Sequence, residues 1–146
     1  MISNITNIFL ADDDEDDRFI FKEALKEIQV PTSLFTANDG EQLMVALNTL
    51  TGNLPDVLFL DLNMPRKNGF QCLREIRQSR KLRTLRTVIF STSYEPEMIE
   101  LLFKTGADHY IKKPTEFNEL KNVIESVLKI VQTPNFRHSI ERFVLK

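Results

Sequence analysis

Acidic side chains follow two apolar runs of the sequence, and this pattern carries most of its chemical content. Asp61 comes directly after the run at residues 57–60, and Asp12 and Asp13 come directly after the run at residues 8–11. A carboxylate can bind a divalent cation, and it can also attack phosphorus to form an acyl phosphate. Asp61 is therefore a candidate nucleophile, and Asp12 and Asp13 are candidate metal ligands.

Two further apolar runs lead to a hydroxyl and an amine. Residues 88–90 precede Ser91, and residues 110–111 lead to Lys113, which stands just before Pro114. An ammonium group can pair with Asp61 or with a phosphoryl oxygen, and a hydroxyl can donate a hydrogen bond to the same group. The four positions together favour phosphoryl chemistry, provided that the fold gathers them.

The order of the apolar segments indicates how the fold gathers them. Short apolar runs typical of buried strands alternate with segments whose apolar positions are three and four residues apart, as in helices. The sequence predicts strands at residues 5–11, 33–37, 57–61, 87–91 and 109–111, and helices at residues 15–28, 41–50, 70–79, 96–104 and 116–131. This alternation predicts an α/β fold in which five strands form a parallel sheet covered by helices on both faces.

In folds of this class, ligands bind beyond the carboxyl ends of the strands. That rule places Asp12, Asp13, Asp61, Ser91 and Lys113 in one crevice. Carboxylates crowded together repel one another, and a hard cation with oxygen ligands removes the conflict. Mg²⁺ is the expected cofactor, because it accepts a few carboxylates, keeps several waters and binds phosphate oxygens.

Composition sets bounds on the rest. The chain has 146 residues, 42% of them hydrophobic, and a formal net charge of -2. The length suits about one domain, and the charge gives no reason to expect nucleic acid or an acidic membrane as a partner. No signal peptide is expected at the start, and no run approaches the roughly 20 apolar residues of a membrane span. We therefore expect a cytoplasmic protein.

The ordered set of motifs resembles the receiver domain of two-component response regulators, the CheY-like family, from about residue 5 to residue 132. Asp12 and Asp13 match the acidic pair after the first strand, and Asp61 matches the phosphoacceptor after the third. Asn63 matches the position whose backbone carbonyl binds the metal. The remaining matches are Met64, Pro65 and Gly69 in the turn to the third helix, Ser91 as the Ser/Thr of the family, Tyr110 as the switch aromatic, and the pair Lys113 and Pro114.

The resemblance implies a flavodoxin-like, doubly wound fold with strand order 2-1-3-4-5 and a cis peptide bond between Lys113 and Pro114. It implies that Asp61 accepts a phosphoryl group from a sensor histidine kinase or a histidine phosphotransfer protein, with Mg²⁺ as cofactor. It also implies that Ser91 and Tyr110 respond to phosphorylation and change a surface that binds an unknown downstream protein. Such a receiver catalyses only its own phosphorylation and dephosphorylation.

Two other functions remain open at this point. A phosphatase of the haloacid dehalogenase type also uses an aspartate at a strand end, Mg²⁺ and an acyl phosphate. Its motif is Asp-x-Asp, however, and this chain has Asp61, Leu62 and Asn63 at the corresponding place. A phosphorylation-independent docking module is the second alternative. The intact acidic set, together with Ser91 and Lys113, argues against it.

The residues after the predicted receiver form a separate segment. We expect a receiver domain at residues 1–132 and a C-terminal extension at residues 133–146, as stand-alone receivers of the cyanobacterial phytochrome-regulator type also have. The segment shows no output domain, so the signal is expected to leave through a partner protein, self-association or a phosphorelay. One face of a short amphipathic helix is predicted from Phe136, Ile140, Phe143 and Val144. This face is expected to cover apolar surface on the last helix, within one chain or across a homodimer.

The remaining candidate groups have simpler interpretations. His109 and His138 show no metal-ligand spacing and are expected on the surface, and Cys72 is expected to be inert packing in the third helix. A basic stretch at residues 66–86 is predicted to be a solvated helix face rather than a surface for an acidic partner.

Overall fold

The structure, a computed structural model, describes residues 5–132 and 140–145. Its centre is a parallel sheet with strand order β2-β1-β3-β4-β5-β6. The strands are β1 (Thr6–Ala11), β2 (Thr32–Ala37), β3 (Val57–Leu60), β4 (Thr87–Ser91), β5 (His109–Lys112) and β6 (Val144–Leu145). The expected order of the first five strands is confirmed, and the sixth strand is an addition that the sequence did not predict.

Five helices connect the first five strands and follow the last of them. They are α1 (Glu15–Glu27), α2 (Gly40–Thr49), α3 (Gly69–Gln78), α4 (Pro96–Thr105) and α5 (Phe117–Val131). Every helix predicted from apolar spacing is present, with small shifts at the ends. Within the described part of the chain, no helix has both the length and the apolar character needed to cross a membrane.

The helices cover both faces of the sheet, as expected for this class of fold. One apolar cluster joins the sheet to α1 and α5, through side chains such as Phe21 and Ile124. The other joins the sheet to α2, α3 and α4, through side chains such as Leu43, Leu73 and Leu102. Because β3 lies between these layers, all of its side chains are buried, and it forms a rigid base for the residues that follow it.

Side chains at the starts of α1, α2 and α3 fix where the preceding connections end. Asp14, Asp39 and Asn68 each accept a hydrogen bond from the backbone N–H three residues later, which satisfies a donor that the helix itself leaves unpaired. Gly106 ends α4 with φ of 111°, a left-handed conformation that glycine adopts without strain. The three side-chain caps hold the loops after β1, β2 and β3 in defined positions at the carboxyl edge of the sheet, whereas the Gly106 cap lies before β5 at the opposite edge.

The described part of the C-terminal extension corrects the prediction of an amphipathic helix. A single 3-10 turn at Ile140–Arg142 leads into β6, which pairs with β5 through Val144 opposite Tyr110 and Leu145 opposite Ile111. The physical reason lies in the sheet edge: β5 would otherwise leave backbone groups unpaired, and the backbone N–H of Tyr110 donates to the carbonyl of Phe143 at 2.8 Å. Phe136 lies outside the described residues.

Phe143 packs on a different surface from the one predicted. Its ring is fully buried, with its centroid 5.4 Å from that of Phe103 on α4 and 6.4 Å from that of Tyr110 on β5. Phe143 therefore fills the layer between α4 and the sheet, and only Leu145 reaches the cluster that contains α5. Val144 and Leu145 are consecutive residues of β6 and therefore face opposite layers, Val144 that of α4 and Leu145 that of α5, which a helical face does not allow.

His109 is buried, and the expectation of a surface position was wrong. It begins β5 inside the sheet, and its Nδ1 lies 3.1 Å from the carbonyl oxygen of Arg142 in the extension. Burial lowers the pKa of His109, and backbone hydrogen bonds with Arg142 and Phe143 oppose that change. His138 lies outside the described residues, whereas Cys72 is buried in α3 as expected, and burial raises the pKa of its thiol to about 12.

Most of the basic stretch makes defined contacts within the chain. Arg77 is the clearest departure from a solvated face, because it donates to the carbonyls of Leu85 and Gly106 at 2.8 Å and pairs with Asp108 at 3.2 Å. Arg86 donates to the carbonyl of Ile130 at 3.0 Å. The Arg77 contacts join the end of α3 to the turns before β4 and β5, and the Arg86 contact joins the turn before β4 to α5.

Candidate functional site

The sheet register brings the two acidic strand ends together. Ala11 on β1 pairs with Leu60 on β3, so Asp12 and Asp61 leave neighbouring strands at the same level. Their backbones continue the pairing, with the Asp61 N–H donating to the carbonyl of Ala11 at 2.9 Å and the Asp12 N–H to that of Ala37 at 3.1 Å. The carboxylates are thus placed by the sheet itself and not by a flexible loop.

Asp12, Asp13 and Asp61 form one acidic cluster. Each offers a carboxylate oxygen, and these oxygens lie within 4.8 Å of one another. Asp12 is fully buried and Asp61 is 5% exposed, whereas Asp13 is exposed. Oxygen donors that converge from a buried base toward solvent suit a hard divalent cation, which can keep waters on its open side.

The turn after Asp61 approaches the backbone closely. The N–H of Gly69 donates to the carbonyl of Leu62 at 2.9 Å, and a side chain at Gly69 would collide with the carbonyl oxygen of Asp61. Asn63 is exposed in this turn, two residues after Asp61. Gly69 therefore fits the matched family position for a steric reason.

Lys113 supplies the positive charge of the site. Its Nζ donates to carboxylate oxygens of Asp12 and Asp17 at 2.8 Å each, and it lies 3.4 Å from Oδ2 of Asp61. The backbone N–H of Lys113 donates to the carbonyl of Ser91 at 2.8 Å, which ties the start of its loop to β4. The side chain passes over the ring of Phe90, with Nζ 5.6 Å from the ring centroid.

The expected cis peptide bond is not present. No cis bond occurs in the described residues, so Lys113 and Pro114 are joined by a trans bond. The trans form is the intrinsically preferred one for a bond before proline, by about 0.5–1 kcal/mol. In this conformation Lys113 already reaches the acidic cluster.

Burial and charge act in opposite directions on the two central groups. Burial, together with the nearby charge of Asp12, raises the pKa of Asp61 to about 6, although Lys113 opposes the rise. Burial alone would lower the pKa of Lys113, but hydrogen bonds to Asp12 and Asp17 and the charge of Asp61 raise it. The lysine therefore stays protonated. The ionised form of Asp61 is disfavoured by its surroundings, and added cationic charge would stabilise it.

Ser91 and Tyr110 both hydrogen-bond with the backbone of Ser93, in the loop that leads from β4 to α4. Ser91 is fully buried at the end of β4, and its Oγ accepts from the backbone N–H of Ser93 at 3.2 Å. The Tyr110 hydroxyl donates to the carbonyl oxygen of Ser93. Burial raises the pKa of Tyr110, and a hydrogen bond with Ser91 opposes the rise. Tyr110 is thus folded inward, against the loop that carries Ser91.

Two contacts of the site were missed in the sequence. Asp17 pairs with Lys113, although the acidic residues of the first turn of α1 were taken only as favourable to the helix dipole. Arg18 donates to the backbone carbonyl of Asp12 at 2.8 Å. A signal was available for Asp17, because side chains in the first turn of a helix point back toward its N-terminus and thus toward Asp12.

A family model described as the response regulator receiver domain matches residues 8–125. The chain belongs to this family. It is therefore a receiver of two-component signalling, and the resemblance seen in the sequence is confirmed. Receivers of this family exchange phosphoryl groups with histidine kinases or phosphotransfer proteins, act on downstream partners and bind a divalent metal in an acidic pocket.

Individual relatives support the assignment. The transcriptional regulatory protein CpxR of Escherichia coli is 34% identical over 126 residues, which are 86% of this chain and 50% of CpxR. Response regulator Rcp1 of a Synechocystis species is 25% identical over 82% of this chain and 84% of its own length. The chain spans about half the length of several curated relatives that it matches, CpxR among them.

Solved structures of response regulators share the fold. The phosphorylated cyanobacterial phytochrome response regulator RcpA superposes with a TM-score of 0.81 at 27% identity, covering 93% of this chain and all of RcpA. The Mn²⁺-bound form of Rcp1 superposes with a TM-score of 0.78 at 23% identity, covering 90% of this chain and 99% of that one. The fold therefore matches receivers over nearly the whole chain.

The first testable prediction concerns the charge of Asp61. Because its folded pKa of about 6 lies above the unfolded value of 3.8, the folded state binds more protons between these values, and stability falls as pH rises through that range. Asp61→Asn removes this cost. In metal-free buffer, denaturant titrations should find the variant more stable than wild type by about 1–3 kcal/mol at pH 7 and nearly equal to it at pH 4.

Asp16→Asn serves as the control, because Asp16 is an exposed carboxylate on the first turn of α1. This substitution also removes one negative charge, but that charge is exposed to water in the folded protein. A stability difference between Asp61→Asn and wild type that is constant from pH 4 to pH 7 would contradict the account.

Proposed function

We propose that Asp61 is the phosphoacceptor of this receiver. The observation that carries the proposal is the position of its carboxylate, buried after the central strand β3, within the acidic cluster and 3.4 Å from Nζ of Lys113. A carboxylate oxygen of Asp61 attacks the phosphorus of a phosphohistidine, a P–O bond forms, and the P–N bond breaks. The histidine leaves with a proton, and Asp61 becomes an acyl phosphate. Water later attacks the phosphorus, the P–O bond to Asp61 breaks, and inorganic phosphate leaves, which restores the carboxylate.

Lys113 and a cation would meet the charge that this reaction brings into the site. We propose Mg²⁺ as the cation, held by Asp12, Asp13, Asp61 and the backbone carbonyl of Asn63. The carboxylate oxygens within 4.8 Å of one another support this choice. When bound, Mg²⁺ would neutralise charge on the transferring phosphoryl oxygens. Lys113 would donate to one of those oxygens from its present position.

Ser91 and Tyr110 would carry the response. A phosphoryl group on Asp61 adds negative charge and acceptor oxygens at one point. Ser91 would turn its hydroxyl toward this group, and Tyr110, which now contacts the same loop, would fill the space left behind. A phosphoryl group can shift the equilibrium only through contacts that differ between the two states, and the Ser91 hydroxyl supplies such a contact.

The phosphodonor would be a sensor histidine kinase or a histidine phosphotransfer protein, and the output would be a changed surface for a downstream protein. We place the exchange in the cytoplasm, because histidine kinases draw their phosphoryl group from ATP. The receiver unit would comprise residues 1–132 and the extension residues 133–146. On this account the protein catalyses only its own phosphorylation and dephosphorylation, and it acts on neither nucleic acid nor membrane.

The extension would also contribute to a homodimer. Among the described residues, α5 has no exposed large apolar side chain, since the sheet and α1 cover its stripe, so the earlier reason for dimerisation through α5 alone is weakened. The support lies beside it, where β6 forms the outer strand of the sheet and borders a groove lined by Val123, Val144 and Leu145. An outer strand carries backbone groups that a second chain can pair with.

The prediction for the phosphoacceptor uses acetyl phosphate and Mg²⁺. Wild type should gain the mass of one phosphoryl group, and Asp61→Asn should gain none, because its amide is not a nucleophile. Asp56→Asn is the matched control, since Asp56 is an exposed carboxylate just before the same strand. It should be labelled like wild type, and chelation of the metal should stop labelling. Labelling of Asp61→Asn to the wild-type extent would refute the assignment.

The prediction for the switch concerns Ser91→Ala. This variant should still be phosphorylated at Asp61, because the nucleophile and the ammonium are intact, but it should lose most of the change in amide signals of α4 and β5 seen by NMR. Thr92→Ala is the control, because Thr92 is exposed in the next position. A full wild-type response in Ser91→Ala would show that Tyr110 moves without this contact.

The prediction for the extension concerns Phe143→Ala. Truncating this buried ring should cost about 1.5–3 kcal/mol, the value of burying one large apolar side chain, because the end of the chain can detach rather than leave a cavity. Denaturant titration measures the loss, and light scattering should show a dimer of wild type that becomes a monomer in the variant. Val45→Ala, at an exposed site, should change neither. A mass of one chain for wild type would remove the dimer from the proposal and leave the stability effect.

A further inference from the structure

Asp17 is the acceptor of Lys113 that stands apart from the acidic cluster. Within the described residues, the candidate metal-binding group comprises Asp12, Asp13 and Asp61 and does not include Asp17. Yet Asp17 accepts from Nζ of Lys113 at 2.8 Å, as closely as Asp12 does, and more closely than Asp61 at 3.4 Å. The lysine therefore has one anchor that is independent of the metal ligands.

The backbone holds both ends of this contact in place. The N–H of Asp17 donates to the side chain of Asp14 at 3.0 Å, which fixes the first turn of α1. The N–H of Lys113 donates to the carbonyl of Ser91 at 2.8 Å, which fixes the start of the β5–α5 loop. The side chain of Lys113 is only 10% exposed, whereas that of Asp17 is 37% exposed and remains partly hydrated. The carboxylate thus holds the ammonium without being buried itself.

We propose that Asp17 is the positioning residue for Lys113 in phosphoryl transfer. An ammonium group has three donors. With cationic charge on Asp12 and Asp61, these two carboxylates become weaker acceptors for the lysine, and Asp17 keeps it in place. Two N–H groups of the Lys113 ammonium then donate to Asp12 and Asp17, and the third faces Asp61, where a phosphoryl oxygen would lie. The inference rests on the proposed role of Asp61 and adds to it the residue that holds the lysine ready.

The test compares Asp17→Asn with Asp17→Glu and with Asp16→Asn. Asp16 is the neighbouring carboxylate of the same helical turn and is exposed, so its substitution removes the same charge from α1 without touching Lys113. Beryllofluoride at saturating Mg²⁺ serves as the probe for the phosphoryl group. Asp17→Asn should bind it about tenfold more weakly, the scale of one charge-assisted hydrogen bond at a partly exposed site. Asp17→Glu should recover most of this loss, and Asp16→Asn should resemble wild type.

Two further readouts separate positioning from a general loss of charge or fold. The Mg²⁺ dissociation constant of Asp17→Asn should lie within about twofold of that of Asp16→Asn. Both substitutions remove one carboxylate that is in contact with water and is not a proposed metal ligand, and solvent and salt screen its effect on the ion. In metal-free protein, the ¹⁵N signal of the Lys113 ammonium should be sharp in wild type and in Asp16→Asn, and broadened in Asp17→Asn.

The inference is overturned if Asp17→Asn matches Asp16→Asn in beryllofluoride affinity, or if it binds the probe more tightly. It is also overturned if the Lys113 signal is unchanged by the substitution. Failure of wild type to bind beryllofluoride would count against the proposed function of Asp61. The metal-free ammonium signal would then still decide whether Asp17 holds Lys113.

Discussion

Burial of negative charge at the carboxyl edge of the sheet is the constraint around which this site is organised. Asp12 and Asp61 lie side by side with almost no solvent, and a buried charge is costly unless an opposite charge and hydrogen bonds accompany it. Lys113 provides that charge from the end of β5, on the far side of β4. The site therefore exists only when three strands that are distant in sequence are in register. This makes the fold a precondition of the chemistry rather than a passive support for it.

The same constraint explains which parts of the site are rigid. The carboxylates follow buried strands directly, and their backbones remain in the hydrogen-bond ladder. Lys113 instead spans the gap with a long side chain that rests on the ring of Phe90 and ends among carboxylates. A rigid carboxylate and a tethered ammonium group would suit the proposed phosphoryl transfer, in which positioning and charge neutralisation do most of the work.

The sequence predicted the parts of the structure that depend on repeated patterns. Alternating apolar runs predicted the strands and helices, and the rule for parallel sheets gathered Asp12, Asp61 and Lys113 at one edge. The sequence could not predict β6, because a strand of two residues has no periodicity and its spacing also fits a helix. Burial of His109 was missed for a related reason, since its ring contacts the turn of the extension at Arg142. The ion pair of Asp17 with Lys113 was missed because an acidic residue in the first turn of a helix is already explained by the helix dipole.

The charge balance of the site also explains why phosphorylation would reach beyond it. Four carboxylates, Asp12, Asp13, Asp17 and Asp61, stand near one ammonium, so even a bound divalent cation leaves no excess of positive charge. A phosphoryl group adds further negative charge, and the site has to recruit another donor to meet it. The Ser91 hydroxyl is a neutral donor at the end of the next strand, and it is linked to Tyr110 through Ser93, whose backbone hydrogen-bonds with both side chains. Tyr110 in turn packs against Phe143 of the extension, so on the proposed function a change at Asp61 that draws on Ser91 would act on a contiguous set of side chains that ends at the edge of the sheet.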